Sequence, residues 1–329
     1  MKLPRRQFLH LVTCAAAFAA GSRAATAQTY PTRPIRLVVP FPPGGAVDFV
    51  ARPLAQRLKS VLGSVFIENV GGGGGSLGAA TVAHARPDGY TILVAGTSQY
   101  VTEALLKNRP QFDPIKDLEP IANVTTYTFA IAVHPAVPAH TLKQFVDYAK
   151  ANPGKVSYGS PGVGSTNHLT GELLKLQAGI PDLIHVPYRG VGPALADLMG
   201  GQIPMVVPTM SGQVLQFHRE GKLRILVVAS PTRLAGTLEF PTAVEQGFPN
   251  LIAPGLIGLL APTGTPKAIV DQVAQATRTA LADRGFQQLL IEGGLVPDLD
   301  STPEKFRRSL ERDLAHWTPV VQAIGLKID

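Results

Sequence analysis

Cysteine is all but absent from this chain. Its one cysteine among 329 residues is Cys14, so the remainder has no disulfide, no thiolate metal site and no thiol nucleophile. Charged residues make up only 16% and aromatics 6%. No cluster of Lys and Arg with interleaved aromatics occurs, which removes the usual footprint of a nucleic-acid surface. No apolar run is long enough to serve as a permanent membrane span. Several chemical signatures are also missing: there is no G-x-x-x-x-G-K-[ST] loop and no G-x-S-x-G elbow. His84, His134, His140, His168, His185, His218 and His316 show neither H-x-x-x-H nor H-E-x-x-H spacing, so no zinc-enzyme motif is present.

The amino-terminal residues read as an export signal. Arg5-Arg6-Gln7-Phe8-Leu9 precedes an apolar stretch to Ala20, and Ala25-Thr26-Ala27 supplies a small-x-small cleavage site. The paired arginines resemble a twin-arginine signal; an ordinary secretory signal carrying two arginines is the other reading. Leu11-Val12-Thr13-Cys14 only faintly matches a lipoprotein box, because Thr13 fits it poorly. Residues 1–27 contain Lys2, Arg5, Arg6 and Arg23 and no acid, so removing these four cations lowers the net charge from +7 to +3. The basic character of the whole chain is thus partly that of its signal.

With 45% apolar residues, the rest is globular and long enough for two cores. Short apolar runs alternate with helical patterns: Ile35–Val39, Val65–Ile67, Thr91–Ala95, Ala130–Val133, Ile184–Val186, Met205–Val207 and Ile225–Ala229. This alternation predicts an α/β fold with largely parallel sheets. Val47, Val50, Leu54, Leu58 and Val61 recur at helical spacing, as do Leu169, Leu173 and Leu176. Thr141-Leu142-Lys143-Gln144 is a capping box. Pro266 and Pro303 are predicted at first helical positions. No flexible linker separates two halves. The pattern suits a chain that crosses between domains twice through strands, near 122–126 and 226–231. The expected division is a signal peptide over 1–27, one domain from 28–123 and 228–329, and a second over 124–227.

Two glycine-rich turns carry the functional reading. Pro40-Phe41-Pro42-Pro43-Gly44-Gly45-Ala46-Val47-Asp48 and Ser160-Pro161-Gly162-Val163-Gly164-Ser165-Thr166-Asn167-His168 each follow a strand and open a helix. The first turn of a helix leaves its N–H groups unpaired, and a carboxylate settles there without a cationic side chain. Some residues keep two readings. Asp48 either caps its helix or accepts from a ligand ammonium or hydroxyl. His168 either donates to a carboxylate or orients its loop. Arg189 either faces the cleft or forms a surface ion pair. Ser165 reads as a helix N-cap, and a hydrolase built from Ser160 or Ser165 with His168 is the competing idea. Gly73-Gly74-Gly75-Ser76-Leu77-Gly78 satisfies G-x-G-x-x-G, but no acidic residue ends a following strand, so a close-packed turn near the cleft is preferred to a dinucleotide site.

An ordered set of segments resembles the substrate-binding receptors of tripartite tricarboxylate transporters, the Bug family. They are Val39-Pro40-Phe41-Pro42-Pro43-Gly44-Gly45 with Asp48, Arg86-Pro87-Asp88-Gly89-Tyr90-Thr91, Ala151-Asn152-Pro153-Gly154-Lys155, Tyr158-Gly159-Ser160-Pro161-Gly162 with His168-Leu169, His185-Val186-Pro187-Tyr188-Arg189-Gly190, Gly200-Gly201-Gln202 and Ala261-Pro262-Thr263-Gly264-Thr265-Pro266. The resemblance implies a two-lobed periplasmic clamshell of type II with two crossover strands. It also implies a small carboxylate ligand, a membrane permease as partner, no cofactor and a monomer. The ligand positions it carries over are Phe41, Gly45, Ala46 and Asp48 from one lobe, and Ser160, Gly164, Ser165, Thr166 and His168 from the other. A ligand-sensing module for a membrane sensor kinase is the alternative use of the same fold. The sequence departs from the family at Ile203-Pro204-Met205-Val206-Val207-Pro208, which lacks two expected acids and so disfavours an amino-acid ligand. It departs again at Leu256-Ile257-Gly258, where a Trp-Phe-Gly wall becomes aliphatic, and at Thr102-Glu103-Ala104-Leu105, which reshapes the rim.

Overall fold

A computed structural model of the protein describes residues 30–328, so the signal call over 1–27 and Cys14 lie outside the described residues. From Arg33 onward the chain is one compact unit. Its elements in order are β1 (Ile35–Val39), α1 (Ala46–Leu62), β2 (Val65–Asn69), α2 (Ser76–Ala83), β3 (Thr91–Gly96), α3 (Thr97–Val101), β4 (Leu118–Thr128), β5 (Ala130–Val133), α4 (Leu142–Ala151), β6 (Ser157–Ser160), α5 (Thr166–Ala178), β7 (Ile184–Pro187), α6 (Val191–Met199), β8 (Met205–Val206), α7 (Gly212–Arg219), β9 (Arg224–Val228), β10 (Pro254–Pro262), α8 (Lys267–Leu281), α9 (Arg284–Glu292), β11 (Val296–Pro297) and α10 (Pro303–Ile324). Among the described residues no helix is long and apolar enough to cross a membrane.

The strands form two sheets, β11-β4-β10-β3-β1-β2 and β7-β6-β8-β5-β9. Only the ends where strand and helix alternate are parallel: β1 with β2 and β3, and β6 with β7 and β8. β10 is antiparallel to β3 and β4, β11 to β4, and β5 to β8 and β9. The largely parallel expectation is therefore corrected to two mixed sheets. The cause is the chain's passage between them. β4 runs into β5 with only Phe129 between, so no helical crossover restores the parallel direction. The return path leaves the second sheet at Val228 and regains the first at Pro254.

β10 is the strand that the sequence pattern hides, because it opens and closes on proline and contains Gly255 and Gly258. Both glycines answer to space. A Cβ on Gly255 would lie 2.1 Å from the Tyr127 ring, and one on Gly258 would lie 2.5 Å from both Ala122 O and the Phe306 ring. Phe306 and Leu310 of α10 are fully buried against Val38, Leu93, Leu118 and Leu260. Each such side chain contributes roughly 1.5–3 kcal/mol on burial. A second core joins α6 and α7 to the other sheet through Leu195, Leu198, Val206, Val214 and Val228.

Helix ends follow their local chemistry. Thr141 accepts from Gln144 N, and Gln144 Oε1 accepts from the Thr141 backbone N–H, as the capping box requires. Thr302 caps α10 with Pro303 at its first position. Pro266 is the N-cap of α8 rather than its first helical residue. Two predicted core positions are exposed, Val61 at 47% and Leu176 at 49%. Each sits near the end of its helix, where the neighbouring Leu62 and Leu174 take the buried face instead. Gly258→Ala should place a methyl group against Ala122 O and Phe306 and cost roughly 2 kcal/mol by overpacking. Urea unfolding measures it, and an unchanged midpoint contradicts the packing described.

Candidate functional site

The first glycine turn is held from behind. Asp48, 4% exposed, accepts from Gly44 N (3.1 Å), Arg52 Nε (2.8 Å) and Asn69 Nδ2 (3.1 Å), and Asn69 Nδ2 also donates to Phe41 O at 2.9 Å. Burial works to raise the Asp48 carboxyl's pKa, but the hydrogen bonds from Arg52, Gly44 and Asn69 outweigh it and hold it below the ordinary carboxylate value. Asp48 thus braces the turn before α1, whose N-cap is Gly45 without a side-chain cap bond, and its acceptors are committed inside the protein.

The second turn has a similar scaffold. Ser165 accepts from His168 N at 3.2 Å and donates to Gly162 O at 2.8 Å, which makes it the N-cap of α5. His168 Nδ1 accepts from Gly164 N at 3.2 Å. No hydrogen bond joins the Ser165 hydroxyl to the His168 ring, so the paper hydrolase pair is not assembled. The partner of His168 is instead His185, stacked at 3.8 Å between ring centroids. His185 Nε2 lies 2.7 Å from Ser160 Oγ, a contact that sequence spacing did not suggest. Ser160 is itself fully buried and bonded to Gly162 N and O. Buried Tyr158 and the partly exposed Glu172 and Lys175 complete this group. Burial, aided by Lys175, pushes the pKa of His168 down to about 4, and burial with the neighbouring His168 pushes that of His185 down to about 3.

Loops of the two sheets meet at a seam. Thr166 N donates to Ser98 Oγ at 3.3 Å, and Thr102 Oγ1 donates to Gly164 O at 2.7 Å. The glycine run accounts for the closeness. Gly74 has φ +65°, and a Cβ there would lie 2.8 Å from Val163 O; one on Gly75 would lie 2.2 Å from Gln99 Nε2. The G-x-G-x-x-G segment is a turn packed against the opposite loop, with its close-approach surface taken up by protein.

Beside this seam lies a cleft of two adjoining pockets. The outer is lined by Phe41, Pro42, Pro43, Gly45, Ala46, Val47, Pro161, Asn167, Gly190, Val191, Gly192 and Thr209. The inner, about 330 Å³, shares Phe41, Ala46, Val47, Asn167 and Thr209, and adds Gly96, Ser98, Gln99, Tyr127, Thr166, Leu256 and Ile257. The amino ends of α1, α5 and α6 border it; first-turn N–H groups have no partner within their own helix, although at α5 those of Thr166 and His168 are given to Ser98 Oγ and Ser165 Oγ. None of the lining residues carries a charge.

Of the sequence candidates, Phe41, Gly45, Ala46 and Thr166 line the cleft, whereas Asp48, Ser160, Gly164, Ser165 and His168 stand behind it as supports. Arg189 is exposed and lines neither pocket, although its neighbour Gly190 does. The reading missed Gln99, Tyr127, Asn167 and Thr209. Asn167 lay within a recognised motif, but Gln99, in the short helix α3, Tyr127, near the end of β4, and Thr209, just after β8, carry no local signature.

A two-sheet α/β fold with an uncharged cleft of helix amino ends between the sheets defines a solute-binding protein. The model of the tripartite tricarboxylate transporter family receptor matches residues 50–326. Protein BugT of Bordetella pertussis is 32% identical over 305 residues, covering 92% of this chain and 93% of that protein. Two solved structures superpose closely. MatC from Rhodopseudomonas palustris with bound malate gives a TM-score of 0.84 at 30% identity, covering 89% of this chain and all of that one. The R. palustris protein Rpa4515 with adipate gives 0.86 at 30% identity, covering 91% and 99%. The chain belongs to the tripartite tricarboxylate transporter receptor family.

Two consequences can be measured. Gly74→Ala should force the turn off Val163 O, and hydrogen exchange at Gly164–Thr166 should quicken about tenfold as the seam loosens; unchanged exchange contradicts this. The histidine pair has folded pKa values below the unfolded value of about 6.5. The unfolded chain therefore takes up protons first, so stability is complete above pH 6.5 and falls as pH drops toward 4. Asp313, raised to about 6 by burial, acts in the opposite direction. Comparing urea midpoints at pH 7 and 5 with those of His185→Gln isolates the pair, and the variant should lose about half of its contribution.

Proposed function

We propose that this protein is a periplasmic receptor that captures a small carboxylate in the cleft between its two sheets and presents it to a membrane permease of the tripartite tricarboxylate type. The observation that carries this reading is the convergence of helix amino ends from both sheets on one cleft without a charged lining. Backbone donors of this kind bind a carboxylate through directed hydrogen bonds and the positive end of the helix dipole. Malate and adipate in two relatives of the same fold support a carboxylate here. The absence of an acid in the lining disfavours a ligand ammonium, and with it an amino acid.

In this reading residues 28–123 with 228–329 act as one lobe and 124–227 as the other. Phe41, Gly45, Ala46 and Thr166 touch the ligand, while Asp48, Ser160, Gly164, Ser165 and His168 hold the two turns in shape. Closure is a population shift, because the ligand contacts both lobes only when they meet. The protein captures its ligand and does not turn it over: Ser165 is spent on capping, and no activated nucleophile faces the cleft. The first 27 residues direct export, and the receptor works as a monomer.

Calorimetry and thermal shift on ligand-stripped protein, against mono-, di- and tricarboxylates, test the reading. Binding of a carboxylate with a rise in melting temperature is expected. Absence of heat and of any shift across the panel overturns it.

A further inference from the structure

We infer that the cleft is built for a monocarboxylate with an uncharged, apolar body, its carboxylate seated in the inner pocket against Gln99. This rests on the receptor reading above and narrows it to a class of ligand.

Gln99 is 1% exposed. Its Oε1 accepts from Gly96 N at 3.4 Å, which turns the two N–H groups of the amide the other way. Nε2 is buried and has no partner among the described residues, while the side chain lines the inner pocket. Buried amide donors are normally satisfied, since an unpaired one keeps the full cost of its lost hydration. Thr166 and Asn167 of the α5 amino end and the ring of Tyr127 line the same pocket; the Thr166 N–H is given to Ser98 Oγ, so the Asn167 N–H is the donor this helix end offers. An acceptor with two oxygens fits this set, with one oxygen for the amide and one for the helix end.

The outer pocket has the opposite character. Pro42, Pro43 and Pro161 have no N–H to offer, and Phe41, Val47 and Val191 are apolar. Asn167 stands between the pockets, but its Nδ2 is engaged by Val207 O at 2.9 Å and Thr209 Oγ1 at 3.3 Å. What it leaves for the cleft is an amide oxygen, an acceptor that a second carboxylate would not approach. Ala46 and Val47 line both pockets, so the α1 amino end serves the carboxylate of the inner one, which leaves the α6 amino end at Val191 and Gly192 for a second. Pro193 follows directly, and no charged side chain lines the outer pocket. Burying a second charge there without a cation or a full donor set is unfavourable, whereas a hydrocarbon or aromatic body gains from it.

The test is calorimetry on ligand-stripped protein with benzoate and isovalerate against succinate, malate, adipate and leucine. At least one monocarboxylate is expected to bind about tenfold more tightly than every other probe. A dicarboxylate that equals or exceeds the best monocarboxylate overturns this inference and leaves the receptor reading intact; no binding by any carboxylate overturns both. Gln99→Leu should weaken monocarboxylate binding about tenfold with an unchanged circular dichroism spectrum, and undiminished affinity rules out the Gln99 seat. Should that variant misfold, Val191→Arg, at the rim of the outer pocket, serves in its place. A cation there should raise dicarboxylate affinity relative to monocarboxylate about tenfold, and an unaltered ratio counts against the apolar outer pocket.

Discussion

Close approach of bare backbone at Gly74, Gly75 and Gly164 is the constraint on which the cleft depends. Where these glycines stand, a single methyl group would overlap Val163 O, Gln99 Nε2 or Ile328. Without it, the turn before α2 seats against the loop before α5. Thr166 N then reaches Ser98, and Thr102 reaches Gly164 O. Those contacts set how far apart the helix ends of the two sheets stand, and that spacing decides what the cleft can grip. Left-handed or otherwise positive φ at these positions reinforces the demand for glycine.

The two gripping turns are supported differently. The first relies on charge: Asp48 gathers Gly44, Arg52 and Asn69 around one carboxylate, and Asn69 ties Phe41 into the same set. The second relies on neutral polar groups, with Ser160, Ser165 and the stacked His168 and His185 locking a buried loop. Neither support places a formal charge in the cleft. In the proposed function the ligand's own charge is met by oriented peptide dipoles, which need no reorganisation and leave the walls free to be apolar. This separates recognition of the carboxylate from recognition of the rest of the ligand.

Much of this was legible in the sequence. The Thr141 and Ser165 caps, Pro303 at the start of α10, the helix after Ala46 and the two glycine-rich turns each rest on interactions within a few residues, so local pattern suffices. The sheet direction was misjudged although a crossing near 122–126 was expected, because no local signal shows that β4 and β5 pair antiparallel to their neighbours in the two sheets. β10 was overlooked because glycine and proline lower strand propensity. Its glycines are required by Tyr127, Ala122 and Phe306, residues far away in the chain.

What the sequence determined alone was the repertoire: an α/β chain, its capped helices, two turns with free N–H groups and a lining poor in charge. Hydrogen-bond periodicity and capping are short-range, and each residue carries that information itself. Tertiary structure decided which groups became the site. It turned Asp48, Ser165 and His168 inward as supports, left Arg189 outside, and brought Gln99, Tyr127, Asn167 and Thr209 from four separate segments to one cleft. Such convergence depends on the packing of two sheets across a glycine seam, a long-range geometry that no single stretch of the chain contains.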